Sequence, residues 1–281
     1  MSFINNIQNR FRQANIVEKL IYIFIGVFVL TSLFAVFSKP HESNTLIHWF
    51  SLNSDFDFFI TKPWTIISYG FLHADFLHIL FNSIVLYYFG NLFIQYFTQK
   101  QLLTFFLLGT LAGGFIFLLG YSYFPFLSNQ IVPLVGASAG VSAIIIGIAT
   151  YMPNYQLKLR LIGLVKLWHL AAFYIFLDIL QLSGNNVGGH LAHLGGALFG
   201  FLYVNQASTT KINIWSKIAD FFTPKKKPLK TVYKSKKKNS KREANTTYKQ
   251  QKINVILDKI SKSGYDTLSK EEKDFLFKQG K

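Results

Sequence analysis

Long apolar runs separated by short polar breaks recur along the chain as far as residue 206, where the pattern stops. A bilayer core of about 30 Å takes roughly 20 apolar residues per helical crossing. Six stretches meet or approach that length and predict spans at 20–38, 76–98, 102–122, 138–152, 161–183 and 188–206. The fourth is short: about 15 residues at 1.5 Å each cover roughly 22 Å, some 8 Å less than a full crossing. Arg10, Arg12 and Lys19 precede the first stretch, but no A-x-A cleavage pattern follows it, so it reads as a retained span and not a signal peptide. The expected fold class is all-α, a polytopic membrane protein with a six-helix bundle. Beyond it the pattern changes. Residues 207–252 include K-K-K at 225–227 and K-S-K-K-K at 234–238 with few hydrophobes, which predicts a disordered basic linker. Residues 253–281 regain helical spacing at Ile253, Ile256, Leu257 and Ile260, then Gly264, then a second short helix through Phe275, Leu276 and Phe277. Ser269 and Glu272 have the spacing of a capping box at its start. The organisation is therefore an N-terminus at 1–19, a membrane domain at 20–206, a linker at 207–252 and a small helical hairpin at 253–281, expected to dock on an unidentified partner or on the body.

Composition agrees with a membrane body: 51% hydrophobic, 17% aromatic and only 15% charged residues. Charge is uneven. Residues 1–210 carry 9 Lys+Arg against 6 Asp+Glu, whereas residues 211–281 carry 20 against 7, which is +13 of the net +16. Arg10, Arg12, Lys19, Lys100, Lys158 and Arg160 fall in the N-terminus or the even-numbered connections, so the positive-inside rule places both termini in the cytoplasm. A Lys-rich tail just inside the membrane is expected to contact anionic lipid at about 1 kcal/mol per lysine near the surface, and no nucleic-acid partner is expected. The first connection, 39–75, carries Trp49, Phe50, Phe56, Phe58, Phe59 and Trp64, as suits a segment lying in the outer interface. With no cysteine, disulfides, Cys-ligated zinc, Fe–S clusters and thiol catalysis are excluded.

Polar groups are costly inside a bilayer, so those that occur are candidates for function. Span 2 carries His78 and Asn82 on one helical face; span 4 opens with Gly136-Ala137-Ser138-Ala139-Gly140; span 6 carries His190 and His193 in G-G-H-L-A-H-L-G-G. Taken singly, a serine at a helix start is usually a cap, and an intramembrane His or Asn is usually a helix–helix hydrogen bond. Together they converge. The short fourth span starts Ser138 below the outer surface, His193 lies roughly 7 to 8 Å into span 6, and His78 and Asn82 occupy the first turns of span 2. At one depth a serine with a histidine base, and Asn, His and backbone N–H donors for an oxyanion, make a site for nucleophilic catalysis. Gly136, Gly196 and Gly200 read as packing glycines, the last two facing a small side of span 4 at Ala139, Ala143 and Gly147.

These motifs resemble the rhomboid family of intramembrane serine proteases over roughly residues 60–205: H-x-x-x-N at His78 and Asn82, G-x-S at Gly136 to Ser138, and A-H-x-x-G-x-x-x-G at Ala192, His193, Gly196 and Gly200. The resemblance implies a six-helix core and a Ser–His dyad without a third acid, cleaving transmembrane segments of other membrane proteins, here in the bacterial cytoplasmic (inner) membrane. By motif position it makes Ser138 the nucleophile, His193 the base, and His78 and Asn82 oxyanion-hole donors, with no cofactor and no metal. Some members have an aromatic residue four after the serine, packed on the base; here that position is Ser142. The loop Trp-Arg pair of many members is Trp64-Thr65, and G-x-S-G reads Gly136-Ala137-Ser138-Ala139. Asp178 in span 5 lies near the outer end, where an acid can pair locally, and the resemblance gives it no catalytic role. His190 and His73 are expected to be packing or hydrogen-bonding residues. Two other readings compete: a catalytically inactive rhomboid-like protein that binds membrane clients, and a transporter or metal-binding protein using His78, His190 and His193. H-E-x-x-H is absent, and no pair of intramembrane aspartates exists.

Overall fold

The computed structural model describes residues 3–37, 45–127, 130–160, 162–209 and 240–279. It divides into two units, Met1–Asn213 and Ile214–Lys281. In the first, helices α1 (Phe3–Gln13) and α2 (Ile16–Phe37) are followed by three short helices, α3 (Thr45–Phe50), α4 (Phe56–Thr61) and α5 (Thr65–Ser68). The remaining long helices are α6 (Phe76–Tyr96), α7 (Gln99–Tyr123), α8 (Ser138–Tyr151), α9 (Leu167–Leu180) and α10 (Val187–Thr209). Among the described residues, α2, α6, α7 and α10 are long and apolar enough to cross a membrane, and α8 and α9 are shorter apolar helices. The chain is thus an all-α polytopic membrane protein, relieved only by two short antiparallel ladders among the described residues.

Local chemistry sets the helix starts. Asp75 caps α6 by accepting from the His78 N–H at 2.9 Å, and Thr98 with Gln101 forms a reciprocal capping box at the start of α7. The centre of the bundle is α8. It is buried on every side from Ala139 to Ala149, as a run of small and apolar residues with no polar stripe must be. Small residues let its neighbours approach. A methyl group at Gly196 or Gly200 of α10 would overlap the carbonyl oxygens of Ala139 and Ala143, and one at Gly113 of α7 would sit 2.5 Å from the Ala139 methyl. By contrast α2 buries only Val17, Leu20, Phe24 and Thr31, leaving residues such as Leu30, Val36 and Phe37 on the surface.

The start of span 5 differs from the sequence expectation. The apolar run predicts span 5 from 161, but Gln156–Leu159 (β3) and Gly163–Lys166 (β4) pair as a hairpin, Gln156 opposite Lys166, and α9 starts only at Leu167. Leu157 and Leu159 alternate with Gln156 and Lys158, a period of two, and Gly163 takes φ +92° beside the turn. The second ladder joins β1 (Leu52–Asn53) to β2 (Pro133–Leu134), tying the loop before α6 to the loop before α8.

The second unit holds helices Ser240–Ser263 and Lys270–Gln279. The first begins at Ser240, inside the stretch expected to be disordered to 252; Lys241 to Lys252 contain no Gly or Pro and include Glu, Ala, Gln, Lys and Arg, so propensity favours a helix without an apolar stripe. The rest of the expected linker up to residue 239 lies outside the described residues, apart from the end of α10. Ile256 and Leu268 are buried, Lys259 pairs with Glu272 at 2.9 Å, and Ser269 and Glu272 exchange hydrogen bonds as a capping box.

Candidate active site

The turn that delivers Ser138 is built around one backbone conformation. Gly136 has φ +130°, where a side chain is strained, and a Cβ there would stand 2.7 Å from Nε2 of His78. Gly136 therefore works as a turn residue against the His78 ring, not as a packing glycine between helices. Tyr69, almost fully buried, holds this turn: its carbonyl accepts from the Gly136 N–H at 3.0 Å, and its hydroxyl donates to the Thr110 carbonyl on α7 at 2.7 Å. Ser138 is the first residue of α8, so the unpaired N–H groups and positive end of the helix lie at its hydroxyl.

Three other helices bring side chains to the same place. A cavity of about 670 Å³ is lined by Ser138, His193, His78 and Asn82 together with Tyr174, Asn186 and apolar neighbours. On α6, Nδ1 of His78 takes a long 3.5 Å contact from the Ala74 N–H, which leaves the ring hydrogen on Nε2, toward the Gly136 turn. Asn82 uses one amide hydrogen on the His78 carbonyl at 3.0 Å and keeps a second. On α10, Nδ1 of His193 lies 2.8 Å from Oδ1 of Asp178 on α9, and Nδ1 of His190 lies 2.7 Å from the same oxygen. No hydrogen bond joins Ser138 to His193 among the described residues; such bonds are commonly loose in ligand-free sites and tighten around substrate.

Ser142, one turn below Ser138, donates to the Ser138 carbonyl at 2.7 Å and meets the Tyr174 hydroxyl at 2.5 Å. The Tyr174 ring lies against His193. The aromatic partner of the histidine thus comes from α9 instead of the position four after the serine. In the loop before α6, Trp64 stacks on Trp49 with 7° between planes, and Lys62 places its ammonium 4.4 Å from Trp49 and 4.1 Å from Phe58. Among the described residues of the loop, the cation beside the Trp pair is Lys62, two residues before Trp64, while Thr65 is fully buried with its hydroxyl on the Lys62 carbonyl.

The family model for the rhomboid domain matches residues 61–208, more than half the chain. The chain belongs to the rhomboid family. This rhomboid is 32% identical over 195 residues to RHOMBOID-like protein 12, mitochondrial, of Arabidopsis thaliana, covering 65% of this chain and 55% of that protein. It is 28% identical over 152 residues to Presenilin-associated rhomboid-like protein A, mitochondrial, of Danio rerio, covering 53% of this chain and 38% of that one. The matches thus span about half the length, or less, of these relatives.

Tyr69 and Tyr174 stand out in this rhomboid among residues that the sequence did not bring forward, and Asp178, to which the resemblance gives no catalytic role, is found at the ring of His193. Asp178 carried a usable signal, being an intramembrane acid. Asp178, His190 and His193 offer atoms able to ligate a metal within 4.8 Å of one another, and the contacts between them have hydrogen-bond length.

Proposed function

We propose that this rhomboid is an intramembrane serine endopeptidase that cleaves transmembrane segments of other membrane proteins. The observation that carries the reading is the single cavity shared by Ser138, His193, His78 and Asn82. Ser138 Oγ attacks the scissile carbonyl carbon as its proton passes to Nε2 of His193, and the carbonyl electron pair moves onto oxygen. The Ser138 N–H, the Nε2–H of His78 and the second Asn82 amide hydrogen stabilise that oxyanion. Collapse breaks the C–N bond, His193 gives its proton to the departing amine, and water then hydrolyses the Ser138 ester with His193 again as base.

A substrate helix hides its carbonyls and must unwind before attack. An apolar groove of about 600 Å³ bordered by α6, α8, α9 and the β3–β4 hairpin shares Val85, Ile145 and Tyr174 with the cavity, and supports entry from the lipid side. The basic residues support cytoplasmic termini and a tail that contacts anionic lipid. The bacterial cytoplasmic membrane rests on residue distribution and resemblance alone, since both relatives are mitochondrial by name.

The test is cleavage of a model transmembrane substrate by the purified protein in liposomes, with and without chelator, for wild type, Ser138→Ala and His193→Ala. Chelator-resistant cleavage lost in both variants is expected. No cleavage of several varied substrates, with no fluorophosphonate labelling of Ser138, would move the reading to client binding without catalysis.

A further inference from the structure

Asp178 is the buried acid for which a two-residue mechanism has no use. It is 3% exposed on α9, and the bilayer domain around it makes an isolated charge costly. The structure compensates it with two donors from one helical face: His190 and His193, three apart on α10, both direct Nδ1 at Oδ1. An ionised carboxylate only accepts, so both rings carry their hydrogen on Nδ1 and present Nε2 as an acceptor. The other carboxylate oxygen, Oδ2, has no partner among the described residues, so these two contacts alone orient the group.

We infer that Asp178 is a positioning residue for His193: it accepts the Nδ1 hydrogen, fixes the tautomer whose Nε2 can take the Ser138 proton, and offsets the imidazolium formed by that transfer. This rests on the reading of Ser138 as nucleophile. The proton moves once, from Ser138 Oγ to His193 Nε2; Asp178 takes none and keeps its negative charge. His190 holds the same oxygen from one turn earlier, so the carboxylate cannot swing away when the His193 ring becomes charged. A metal on the same three residues is the competing use. Two ligand atoms about 2.0–2.1 Å from a tetrahedral zinc would stand about 3.3 Å apart, whereas the N···O separations here are 2.7 and 2.8 Å, which favours the hydrogen-bonded triad.

The experiment compares wild type, Asp178→Asn and Ser138→Ala in liposomes, reading kcat and KM for a transmembrane substrate, the rate of fluorophosphonate labelling, and the ¹⁵N spectrum of His193. The carboxamide that Asp178→Asn introduces can turn its NH₂ toward the ring and favour the wrong tautomer. The expected result is a fall in kcat on the order of 100-fold with KM within about twofold, an equal slowing of labelling, and conversion of a pure Nδ1–H spectrum into a mixture. A structural role alone would leave the tautomer unchanged. Wild-type cleavage matched by Asp178→Asn overturns the inference and leaves the protease reading intact. Cleavage abolished by chelator overturns it in favour of a metal. A wild type that neither cleaves nor labels removes the protease reading and the inference with it. Should the variant fail to fold, the wild-type spectrum still decides, because an Nε2–H tautomer at His193 is incompatible with the proposed role.

Discussion

The ring of Tyr174 lies nearly parallel to the imidazole of His193, with centroids 6.0 Å apart and 25° between planes, while its hydroxyl meets Ser142 at 2.5 Å. One side chain of α9 therefore touches both α10 and α8 at the level of the cavity. Ring and hydroxyl have separable tasks. Stacked rings contribute about 0.5–1.5 kcal/mol beyond area burial, so Tyr174→Ala should reduce kcat/KM up to about tenfold. Tyr174→Phe keeps the ring and should stay within about threefold of wild type. Cleavage kinetics in liposomes check both, and equal losses would show that the hydroxyl, not the ring, matters.

Gly196 and Gly200 predict a sign difference against a lipid-side glycine. Adding a methyl at either meets a backbone carbonyl of α8, which cannot rotate away, and overpacking of this kind costs about 1–3 kcal/mol. Gly26 in α2 has nothing within 4 Å of the added carbon, and there alanine should stabilise the helix by about 0.5–1 kcal/mol. Unfolding curves in detergent should move one way for Gly196→Ala and Gly200→Ala and the other way for Gly26→Ala.

Gly136→Ala combines a disfavoured φ with a methyl 2.7 Å from His78 Nε2. Strain of about 1–3 kcal/mol is expected, and His78 must be displaced. Fluorophosphonate labelling should fall more than about tenfold, with α-helix content by circular dichroism retained. Gly163→Ala is the comparison: φ there is +92° but nothing lies within 4 Å, so only stability should drop, by about 1–2 kcal/mol, with labelling unchanged.

His73, in the connection before α6, gives a pH signature. Burial, with the nearby His78 adding to it and Asp75 opposing, pushes its pKa down to about 4. The unfolded ring titrates near 6.5, so between those values the unfolded state binds more protons and stability rises with pH. The contribution is complete above about pH 6.5 and is lost as pH falls toward 4. Between pH 7 and 5 the unfolding free energy should decrease by about 2 kcal/mol from this residue. Denaturation of wild type and His73→Gln across that range should show a correspondingly shallower slope for the variant.

The spans were legible because a bilayer forces apolar runs of known length, and the polar residues were legible because lipid makes them rare. What sequence supplies for a helix is depth along the axis; it says little about rotation around it. Asp178 could be placed near the end of its span, yet its turn toward α10 depends on how α9 packs. Tyr174 stays hidden for the same reason, and the motif position at Ser142 points to a different helix. The hairpin at 156–166 resembles the start of a span since Leu157, Leu159, Ile162, Leu164 and Val165 make an apolar stretch whose period of two competes with length. At Ser240 the opposite occurs: the first half of the helix, up to Lys252, has no apolar stripe, so only propensity marks it.

The brevity of α8 has a further consequence. A helix enclosed by other helices does not meet lipid, so bilayer thickness does not set its length. Its 14 residues extend about 21 Å, roughly 9 Å less than a hydrocarbon core. The cavity that holds Ser138, His193, His78 and Asn82 lies at the first residue of this short helix. Each peptide bond hydrolysed by the proposed reaction consumes one water molecule, in surroundings where water is scarce. In that proposed reaction the water would enter through the cavity at the Ser138 end of α8, and the reach of the reaction along a substrate would follow the depth of that cavity.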